Sequence, residues 1–546
     1  MKTELELPEN PDALRDFARD LVKQFHQLTS ENATLSGENA SLQREKALLQ
    51  EQINLLLHKR FSANSEKYRA EQADLFNEAE AYAETLNETI AEAGLDSEST
   101  VPETGGETTT TTEPASPRKP GRKALPAELP RVEIVHDLPE DQRCCSEGHA
   151  LKVIGEEISE QLDIIPAKVQ VLRHIRKKYA CPCCQAEVKT APLPPQPIPK
   201  SNASPGLLAY VAASKFVDAL PLNRQSKLFA RIGVELNRAT LANWMIRSGQ
   251  LIQPLINLLE EALLNYPVLQ MDETRIQVLK EPERPAESQS YIWVRRGGPP
   301  TQPVVLFHYA PSRSQTVADQ LLQGFAGTVQ TDGYTAYVGV CAKNGLRHAG
   351  CFAHARRKFD EAYKATGKGQ PKAGKASKAL GMIQKLYRIE TQIKHLPADD
   401  KVRMRQEQAV PLLNEIKAWA DVSLTQVAPS SLIGKALAYL TSHWAQLAVY
   451  CQDDRIDIDN NATERAIRPF VIGRNNWMFS DTVHGAKASA NLYSLIETAK
   501  LNGLEPYRYL WHIFTELPKA QTLTDIEQLL PWAVDTVYIN GLKQLG

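Results

Sequence analysis

Three acidic residues stand where the pattern of the chain changes. Asp272 interrupts the otherwise apolar stretch VLQMDETRI, where a carboxylate needs a partner because an unpaired charge is costly to bury. Asp332 ends a second strand-like stretch, TVQTDGY, and Glu464 begins a helix-like stretch behind capping-type residues at 459–461. Two acids on strands and one on a helix suit a site for hard divalent cations.

Such a site could cut and rejoin phosphodiester bonds. Mg²⁺ prefers oxygen ligands and usually takes only one or two carboxylates, which leaves its other positions to water and phosphate oxygens. Two such ions about 4 Å apart can activate an attacking oxygen and stabilise the leaving one. Helix caps, surface acids and salt-bridged core acids are commoner explanations of acids at such positions, so the spacing alone does not decide between them.

The residue after the first acid offers an internal contrast. Side chains alternate between the two faces of a strand, so Glu273 is predicted to point away from the face that carries Asp272. We therefore expect Glu273 to lie outside the site and its loss to be tolerated.

The elements that would position these acids change in type along the chain. Strand-like patterns occupy 265–340, in YPVLQMDETRIQVL, SYIWVRRG, PVVLFHYA and GTVQTDGYTAYVGV. Helical patterns return from about Ala353, with a long run over 380–450 and another helix over 488–501. The Lys/Gly-rich stretch TGKGQPKAGKASK is predicted to be a mobile loop. These patterns predict a mixed α/β unit.

Helical patterns also precede the strands, at 197–250. One helix covers LLAYVAASKF, a second begins near Leu222, a break falls at Gly233, and a third runs from about Arg238 to Ser248. This is the order of a helix-turn-helix, whose last helix can enter a major groove of DNA. An ordinary helical bundle that packs on the next domain would give the same pattern.

Leucine recurs every seven residues near the N-terminus, at Leu21, Leu28, Leu35, Leu42, Leu49 and Leu56. A sustained seven-residue repeat predicts a left-handed coiled coil, and polar a positions such as Asn32 and Asn39 favour a two-stranded state. A single amphipathic helix packed on its own protein is the alternative. Residues 1–95 are thus a predicted coiled-coil segment that forms a homodimer or higher oligomer. Residues 96–130, rich in Thr, Pro and Glu, are predicted to be a disordered linker.

Composition and charge limit the class of protein. The chain has 546 residues, of which 42% are hydrophobic, but no apolar run of about 18 residues and no signal-peptide stretch. We therefore expect a cytoplasmic, nucleoid-associated protein with no membrane partner. Residues 1–100 carry 20 acidic and 10 basic residues, residues 101–116 add three Glu, and the remainder carries +11. This asymmetry favours a nucleic-acid-binding body with an acidic extension, although thinly spread surface charge would look alike.

The chain resembles the transposases of the insertion sequence 66 family over nearly its whole length. Matching stretches, in the family's order, include HKRFSANSEK, FVDALPLNRQ, QMDETRIQVL, HAGCFAHARRKFDEA and DNNATERAIRPFVIGRNNWMFS. The resemblance implies a ribonuclease-H-like core with a DDE triad, whose members here would be Asp272, Asp332 and Glu464. These residues would be catalytic and would hold two Mg²⁺ ions, for which Mn²⁺ would substitute.

The implied architecture is an α/β chain with several attachments to its core. The ribonuclease-H-like core would span 251–487, with a helical insertion at about 355–455 and a C-terminal helical segment at 488–546. The N-terminal coiled coil, a small zinc-finger-like unit at 131–196 and the helix-turn-helix-like segment would precede it.

The cysteine unit matches the family's zinc-binding segment only in part. Five of the eight cysteines fall between 144 and 184, and clustered cysteines in a cytosolic chain favour metal over disulfides. The candidate zinc ligands are Cys144, Cys145, His149, Cys181 and Cys184. Glu147 stands where the family's first C-x2-C pair would end, so the fourth ligand is open and a metal-free finger is the alternative.

Basic residues flank the proposed acids and suit contacts with the DNA backbone. They are Arg356, Arg357, Lys358, Arg465, Arg468 and Arg474. A C-x2-H pair, Cys351 and His354, follows His348 with ligand-like spacing, but packed and hydrogen-bonded side chains are the favoured interpretation.

The resemblance thus implies a DNA transposase that binds terminal inverted repeats, cuts at the element end and transfers the freed 3′-hydroxyl to target DNA. Its partners would be element-end and target DNA, a second copy of the chain and accessory proteins of the same element. Two other classes stay open. A catalytically idle or domesticated DNA-binding protein would tolerate loss of the acids, and a metal-dependent nuclease without strand transfer would share the whole site.

Overall fold

A computed structural model describes residues 10–61, 169–175, 177–180, 188–190, 192–365 and 374–541. The predicted linker, all five candidate zinc ligands and most of the predicted Lys/Gly loop lie outside the described residues. Contacts divide the chain into a unit of residues 1–82 with 175–546 and a unit of residues 83–174. Every helix and strand below belongs to the first unit, whereas the second contributes only the non-helical, non-strand residues 169–174.

The strands of the described residues form a hairpin and a larger sheet. The strands are β1 (Lys178–Ala180), β2 (Val188–Thr190), β3 (Val268–Lys280), β4 (Gln289–Gly297), β5 (Val304–Ala310), β6 (Thr328–Gln330), β7 (Arg347–Ala349) and β8 (Ser480–Thr482). β1 and β2 pair antiparallel, and Cys181, Cys183 and Cys184 lie between these two strands in the sequence. The larger sheet has the order β5-β4-β3-β6-β7, with β8 paired to the far end of β3.

The larger sheet is mixed, and its change of direction occurs at β3. β3, β4 and β5 are antiparallel neighbours, as expected for strands joined by short connections, whereas β6 and β7 run parallel to β3. β5, with the sequence VVLFHYA, is buried at all but one position, which is typical of a strand covered on both faces. The predicted α/β core is therefore confirmed.

Helices surround the sheet and extend from it. They are α1 (Pro11–Phe61), α2 (Pro205–Phe216), α3 (Leu222–Arg231), α4 (Arg238–Leu251), α5 (Gln253–Leu264), α6 (Gln315–Leu321), α7 (Thr335–Asn344), α8 (Phe352–Lys364), α9 (Lys375–Ile393), α10 (Ala398–Met404), α11 (Val410–Leu424), α12 (Leu432–Ser442), α13 (Trp444–Leu447), α14 (Asn461–Trp477), α15 (Val483–Leu501), α16 (Pro506–Glu516), α17 (Leu523–Glu527) and α18 (Thr536–Gly541). A π-helical turn, Arg405–Ala409, joins α10 to α11.

One stretch that was predicted to be a strand is helical. The sequence TAYVGV contains β-branched and aromatic residues, which favour strands, but it begins α7. Its apolar residues Tyr337, Val340 and Cys341 are buried at helical spacing, and this packing overrides their local preference. The helix ends at Gly345, whose φ of 64° is the left-handed conformation that glycine adopts readily.

α15 covers the outer edge of the sheet. The backbone N–H of Phe307 in β5 donates to Ser494 Oγ at 2.7 Å, and the N–H of Val305 donates to Thr498 Oγ1 at 3.1 Å. Hydroxyl groups thus satisfy an edge strand that would otherwise expose unpaired backbone. On its other side α15 packs on α4 so closely that a Cβ on Gly249 would lie 2.7 Å from the backbone of Ala488.

The three helices α2 to α4 lie close to their predicted bounds. Ser204 and Asn237 cap α2 and α4 by accepting a backbone N–H three residues later, which satisfies donors that the helix leaves unpaired. α3 ends before Gly233, whose φ is 82°. The helix–turn–helix order is thus present, with α4 buried along one face against α15.

The residues between β7 and α14 form a separate helical body. Apolar residues of α8, α9, α11 and α12 bury one another in a second hydrophobic core, distinct from the core around the sheet. This body sits between the second and third acids in the chain, at the position predicted for the helical insertion.

The long helix α1 contains all six regularly spaced leucines, and all six are exposed, from 51% for Leu21 to 65% for Leu28 and Leu56. The C-terminal part of α1 contacts the insertion: Asn54 donates to the carbonyl of Ala365 at 3.3 Å, and Glu51 accepts from the N–H of Leu432 at 3.2 Å. Among the helices of the described residues, none is long and apolar enough to cross a membrane.

Candidate active site

The fold brings the three predicted acids near one another, beside the point where β6 ends. In the parallel pair β3 and β6, Gln270 lies opposite Gln330, so Asp272 and Asp332 each follow two residues after a paired position. β6 ends at Gln330 whereas β3 continues to Lys280, so Asp332 lies just past the end of β6, next to the part of β3 that carries Asp272. α14 packs against β3 and carries Glu464 in its first turn.

The electrostatics of Asp272 reflect this convergence. Burial raises the pKa of its carboxyl well above the ordinary value, and the negative charges of Glu273, Glu464 and Asp332 raise it further. The backbone N–H of Glu273 donates to Asp272 Oδ1 at 2.8 Å and opposes part of that shift. The carboxylates therefore repel one another, and a bound cation would relieve this repulsion.

A buried polar link joins the helix of the third acid to the strand of the first. The side-chain amide of Asn460 donates to the carbonyl of Met271 at 2.9 Å, and Thr463 Oγ1 donates to Gln270 Oε1 at 3.1 Å. Both Asn460 and Thr463 are fully buried. Asn460 was predicted as a capping residue, but its side chain makes no cap; instead Asp459 accepts the N–H of Asn461 at 3.1 Å.

A second buried pair aligns the strands of the first two acids. Gln270 Nε2 donates to Gln330 Oε1 at 2.9 Å, and Gln330 Nε2 donates to the carbonyl of Asp457 at 2.6 Å. Each side chain has fixed partners in an almost water-free position, so the pair holds the register of β3 against β6. Asp272 and Asp332 are thereby held near each other.

The position of Glu273 in its strand predicts a side chain outside the site, but the structure links this side chain to the second acid, Asp332, through Arg313. Its side chain is only 2% exposed and accepts hydrogen bonds from Arg313 and from the hydroxyl of Tyr337. Arg313 Nη2 also lies 3.7 Å from Asp332 Oδ2, and its guanidinium lies 3.8 Å from the ring centroid of Tyr334. Glu273 thus holds in place the guanidinium group of Arg313, which contacts Asp332.

Sequence reasoning missed this network because its members share no motif. Arg313 lies in the loop before α6 and Tyr337 lies in α7, 40 and 64 residues from Glu273. The one available signal was the carboxylate of Glu273 itself, since an acid inside a buried strand needs a partner.

The third acid has basic neighbours on α8. Arg357 Nη2 lies 3.4 Å from Glu464 Oε2, and His354 Nε2 lies 3.7 Å from Glu464 Oε1. Burial lowers the pKa of His354, as does the charge of Arg357. Positively charged or polar side chains therefore lie next to Asp332 and Glu464. The positive charge of a metal ion would also be favourable there, because it is opposite to the charge of these carboxylates.

The other predicted basic residues differ in exposure. Lys358 is exposed, and its Nζ lies 4.8 Å from the ring centroid of Tyr439. Arg356, Arg465 and Arg468 are half-buried. Arg474 turns toward β3, where its guanidinium donates to Thr274 Oγ1 at 3.0 Å and to the carbonyl of Arg275.

Cys351 of the C-x2-H pair and the preceding His348 are hydrogen-bonded within the protein. The buried thiol of Cys351 accepts the N–H of Asn460 at 3.2 Å, and His348 Nε2 lies 2.9 Å from Thr331 Oγ1. Burial raises the pKa of the Cys351 thiol and lowers the pKa of His348 to about 4. These side chains brace the second acid's loop and the start of α14.

The acid set fits a hard divalent cation by its chemistry, although the described residues contain no group of three His, Cys, Asp or Glu side chains close enough to hold one ion. Asp332 and Glu464 are 24% and 20% exposed, so their oxygens are reachable from solvent. Because Mg²⁺ takes as few as one or two carboxylates, two of these acids would be enough to hold one ion.

Comparison with known families covers most of the chain. The family described as "Transposase IS66 family", a DDE family, matches residues 200–488, and "IS66 C-terminal element" matches 494–532. "Zinc-finger binding domain of transposase IS66" matches 142–185, and "Transposase C of IS166 homeodomain", a leucine-zipper family, matches 48–134.

Individual relatives share long stretches of sequence. The uncharacterized protein y4jD of Sinorhizobium fredii is 35% identical over 420 residues, which are 75% of this chain and 81% of that protein. Protein y4qI of the same organism is 32% identical over 75% of this chain and 77% of its own length. A chain of the simian T-cell lymphotropic virus intasome in complex with PP2A regulatory subunit B56 gamma matches 26% of this chain and 46% of its own length at 15% identity, with a TM-score of 0.13.

Proposed function

The chain belongs to the IS66 family of DDE transposases, and we propose that it cuts the ends of its own element and joins the freed 3′-hydroxyls to target DNA. Phosphoryl transfer is the chemistry that the family implies. The observation that carries the proposal is the convergence of Asp272, Asp332 and Glu464 from three separate elements, with mutual repulsion that a cation would relieve.

In this proposal the three carboxylates hold the divalent metal. Two Mg²⁺ ions, or Mn²⁺ in their place, would supply an activated attacking oxygen and charge compensation for the leaving one. Asp272 is fixed by its strand and by the N–H of Glu273, so it would be the most rigid ligand. Glu464 depends on the buried Asn460 link for its position relative to Asp272.

The basic groups beside the acids would exchange partners when metal and DNA bind. Arg313 has an alternative anion in Glu273, so it can leave Asp332 without becoming unpaired. Arg357 is 55% exposed and contacts Glu464 at a length that a small rotation would break, which frees it for a phosphate. We assign Lys358, Arg356, Arg465 and Arg468 to the same phosphate-binding surface.

The remaining segments would recruit DNA and a second copy. The exposed leucine stripe of α1 suits a two-stranded coil, which meets the need to bring two element ends together. The zinc-finger unit would bind Zn²⁺ through Cys181, Cys184 and ligands among Cys144, Cys145 and His149. With α4, that unit would read the terminal repeats, in the cytoplasm at the nucleoid and together with accessory proteins of the element.

A strand-transfer assay tests the proposal. A duplex from the end of the element that encodes this chain, labelled at the strand to be joined, is incubated with the full-length protein, Mg²⁺ and a supercoiled plasmid. We expect labelled DNA covalently joined to the plasmid. Cleavage without joining would favour the nuclease alternative, and binding without cleavage would favour an idle DNA-binding protein.

A further inference from the structure

A cavity of about 600 Å³ opens along β3, and its lining begins at Glu273, the residue next to Asp272. β6 pairs with β3 only at 268–270, and β8 pairs only at Val278 and Lys280. Between them, within the part of the chain that the structure describes, no strand pairs with that edge of β3. Asp272 stands at the start of this open stretch, and the residues from Thr274 to Gln277 line the cavity.

Two of the three elements that bear an acid, β3 and α14, also contribute to the cavity, and Arg313, which contacts Asp332, contributes from the loop before α6. β3 supplies its floor, Arg313 beside Asp332 supplies one wall, and Arg474 and Met478 at the end of the Glu464 helix supply another. At about 3.3 Å per residue, Arg275 lies roughly 10 Å along the strand from Asp272. A DNA strand cut at the acids would therefore pass the mouth of the cavity within its first few nucleotides.

The lining groups suit a nucleotide. Arg275 pairs with Tyr291 and Gln277 with Gln289 across β3 and β4, so an aromatic ring, a cation and two amides share one face. Aromatic rings stack on bases of any identity, amides reach base edges, and arginine binds phosphate. A volume of about 600 Å³ lies within the range of small-ligand pockets.

The end of α14 adds a strained apolar side chain. Met478 has a φ of 66°, an uncommon conformation for a residue other than glycine, and its side chain is 69% exposed at the cavity. Strained backbone concentrates at functional sites, and exposed apolar side chains such as methionine act as wedges between base steps. The backbone carbonyl of Arg275 already accepts a hydrogen bond from the guanidinium group of Arg474, so this edge of β3 is poorly suited to pair with a peptide strand.

We propose that this cavity receives one unpaired nucleotide of the strand being cut, turned out of the duplex close to the scissile phosphate. The inference rests on the proposed function, because it assumes that DNA is held at the three acids. Bases inside a duplex are stacked and cannot reach such a pocket, so the nucleotide must leave the stack.

The test uses 2-aminopurine, a base whose fluorescence rises when it is unstacked. It is placed singly at each of the first few positions on either side of the cleavage point in an element-end duplex. The full-length protein is added without divalent metal, and binding is followed by anisotropy in the same titration. We expect one position to brighten severalfold. Tyr291→Ala should remove most of that rise, whereas Tyr291→Phe, which keeps the ring, should retain it.

A second variant, at a residue outside β4, tests the same assignment in case Tyr291→Ala disturbs the folding of β4. Met478→Gly suits the left-handed backbone and removes the wedge, so the protein should bind DNA but brighten the same position less. Binding with no brightening at any position, or equal brightening by Tyr291→Ala, would overturn the cavity assignment alone. An absence of binding by the wild-type protein would overturn the proposed function and this inference together.

Discussion

Replacing Glu273 by Gln should raise the Mg²⁺ concentration that cleavage requires. The substitution keeps the shape of the side chain but removes the buried charge that holds Arg313. Hydrogen bonds to charged groups contribute about 1.5–3 kcal/mol. Because Arg313 is 35% exposed, solvent screens the pair, and we take the lower end of about 1.5 kcal/mol.

The lost partner changes the competition at the second acid. With Glu273 neutral, Asp332, 3.7 Å from Arg313, becomes the remaining carboxylate for this cation. If most of that free energy strengthens the Arg313–Asp332 contact, the half-saturating Mg²⁺ concentration rises about tenfold, since 1.4 kcal/mol is a factor of ten. Arg313→Gln removes the competitor and should lower the requirement or leave it unchanged.

The assay is the initial rate of element-end cleavage over a series of MgCl2 concentrations. Tyr337→Phe is the matched control, because it removes one hydrogen bond to Glu273 without changing its charge and should shift the midpoint by less than about threefold. The double variant of Glu273 and Arg313 should behave like Arg313→Gln. An unchanged midpoint in Glu273→Gln, or a raised one in Arg313→Gln, would refute the reasoning.

Three further outcomes are expected. Asp272→Asn should raise Tm at pH 7 in metal-free buffer, because the raised pKa of Asp272 means that its ionisation destabilises the folded state. This increase in Tm should become smaller as the pH falls toward 3.8, the ordinary pKa of an aspartate, because the wild-type carboxyl is then protonated. An equal Tm of variant and wild type at pH 7 would contradict the prediction. Leu28→Glu with Leu35→Glu should convert the proposed full-length dimer to a monomer in sedimentation, because a charge enters the proposed apolar seam while helix propensity is kept; an unchanged mass would count against the coil. Cys181→Ser with Cys184→Ser should lose bound zinc by metal analysis and weaken element-end binding severalfold, whereas full zinc content would exclude these ligands.

The sequence predicted those parts of the fold whose signals are local. The strands around Asp272 and the helices of the helix-turn-helix order carry periodicity, caps and glycine breaks that act over a few residues. The residues of TAYVGV favour strands, and it is the burial of Tyr337, Val340 and Cys341 at helical spacing that decides for a helix.

The candidate site was predicted less completely. Its three acids could be named from the flanking words that resemble the family. The partners of those acids could not, because Arg313, Asn460 and Tyr337 reach the site through tertiary contacts over long sequence separations. Strand alternation is a local rule. It predicts the direction of the Glu273 side chain relative to that of Asp272, but it gives no information on which residues of other elements, here Arg313 and Tyr337, contact that side chain.

The central claim, that Asp272, Asp332 and Glu464 form one metal-dependent catalytic centre, is tested most directly by their isosteric variants. Asp272→Asn, Asp332→Asn and Glu464→Gln are each assayed for cleavage of an element-end duplex in Mg²⁺ and for duplex binding without metal. Asp481→Asn is the matched control, since Asp481 is an exposed acid that pairs with Lys280 at the far end of β3. We predict that cleavage falls by orders of magnitude in all three variants while binding persists, and that the control retains its activity. Cleavage at the wild-type rate by any one of the three, with binding intact, would contradict the claim.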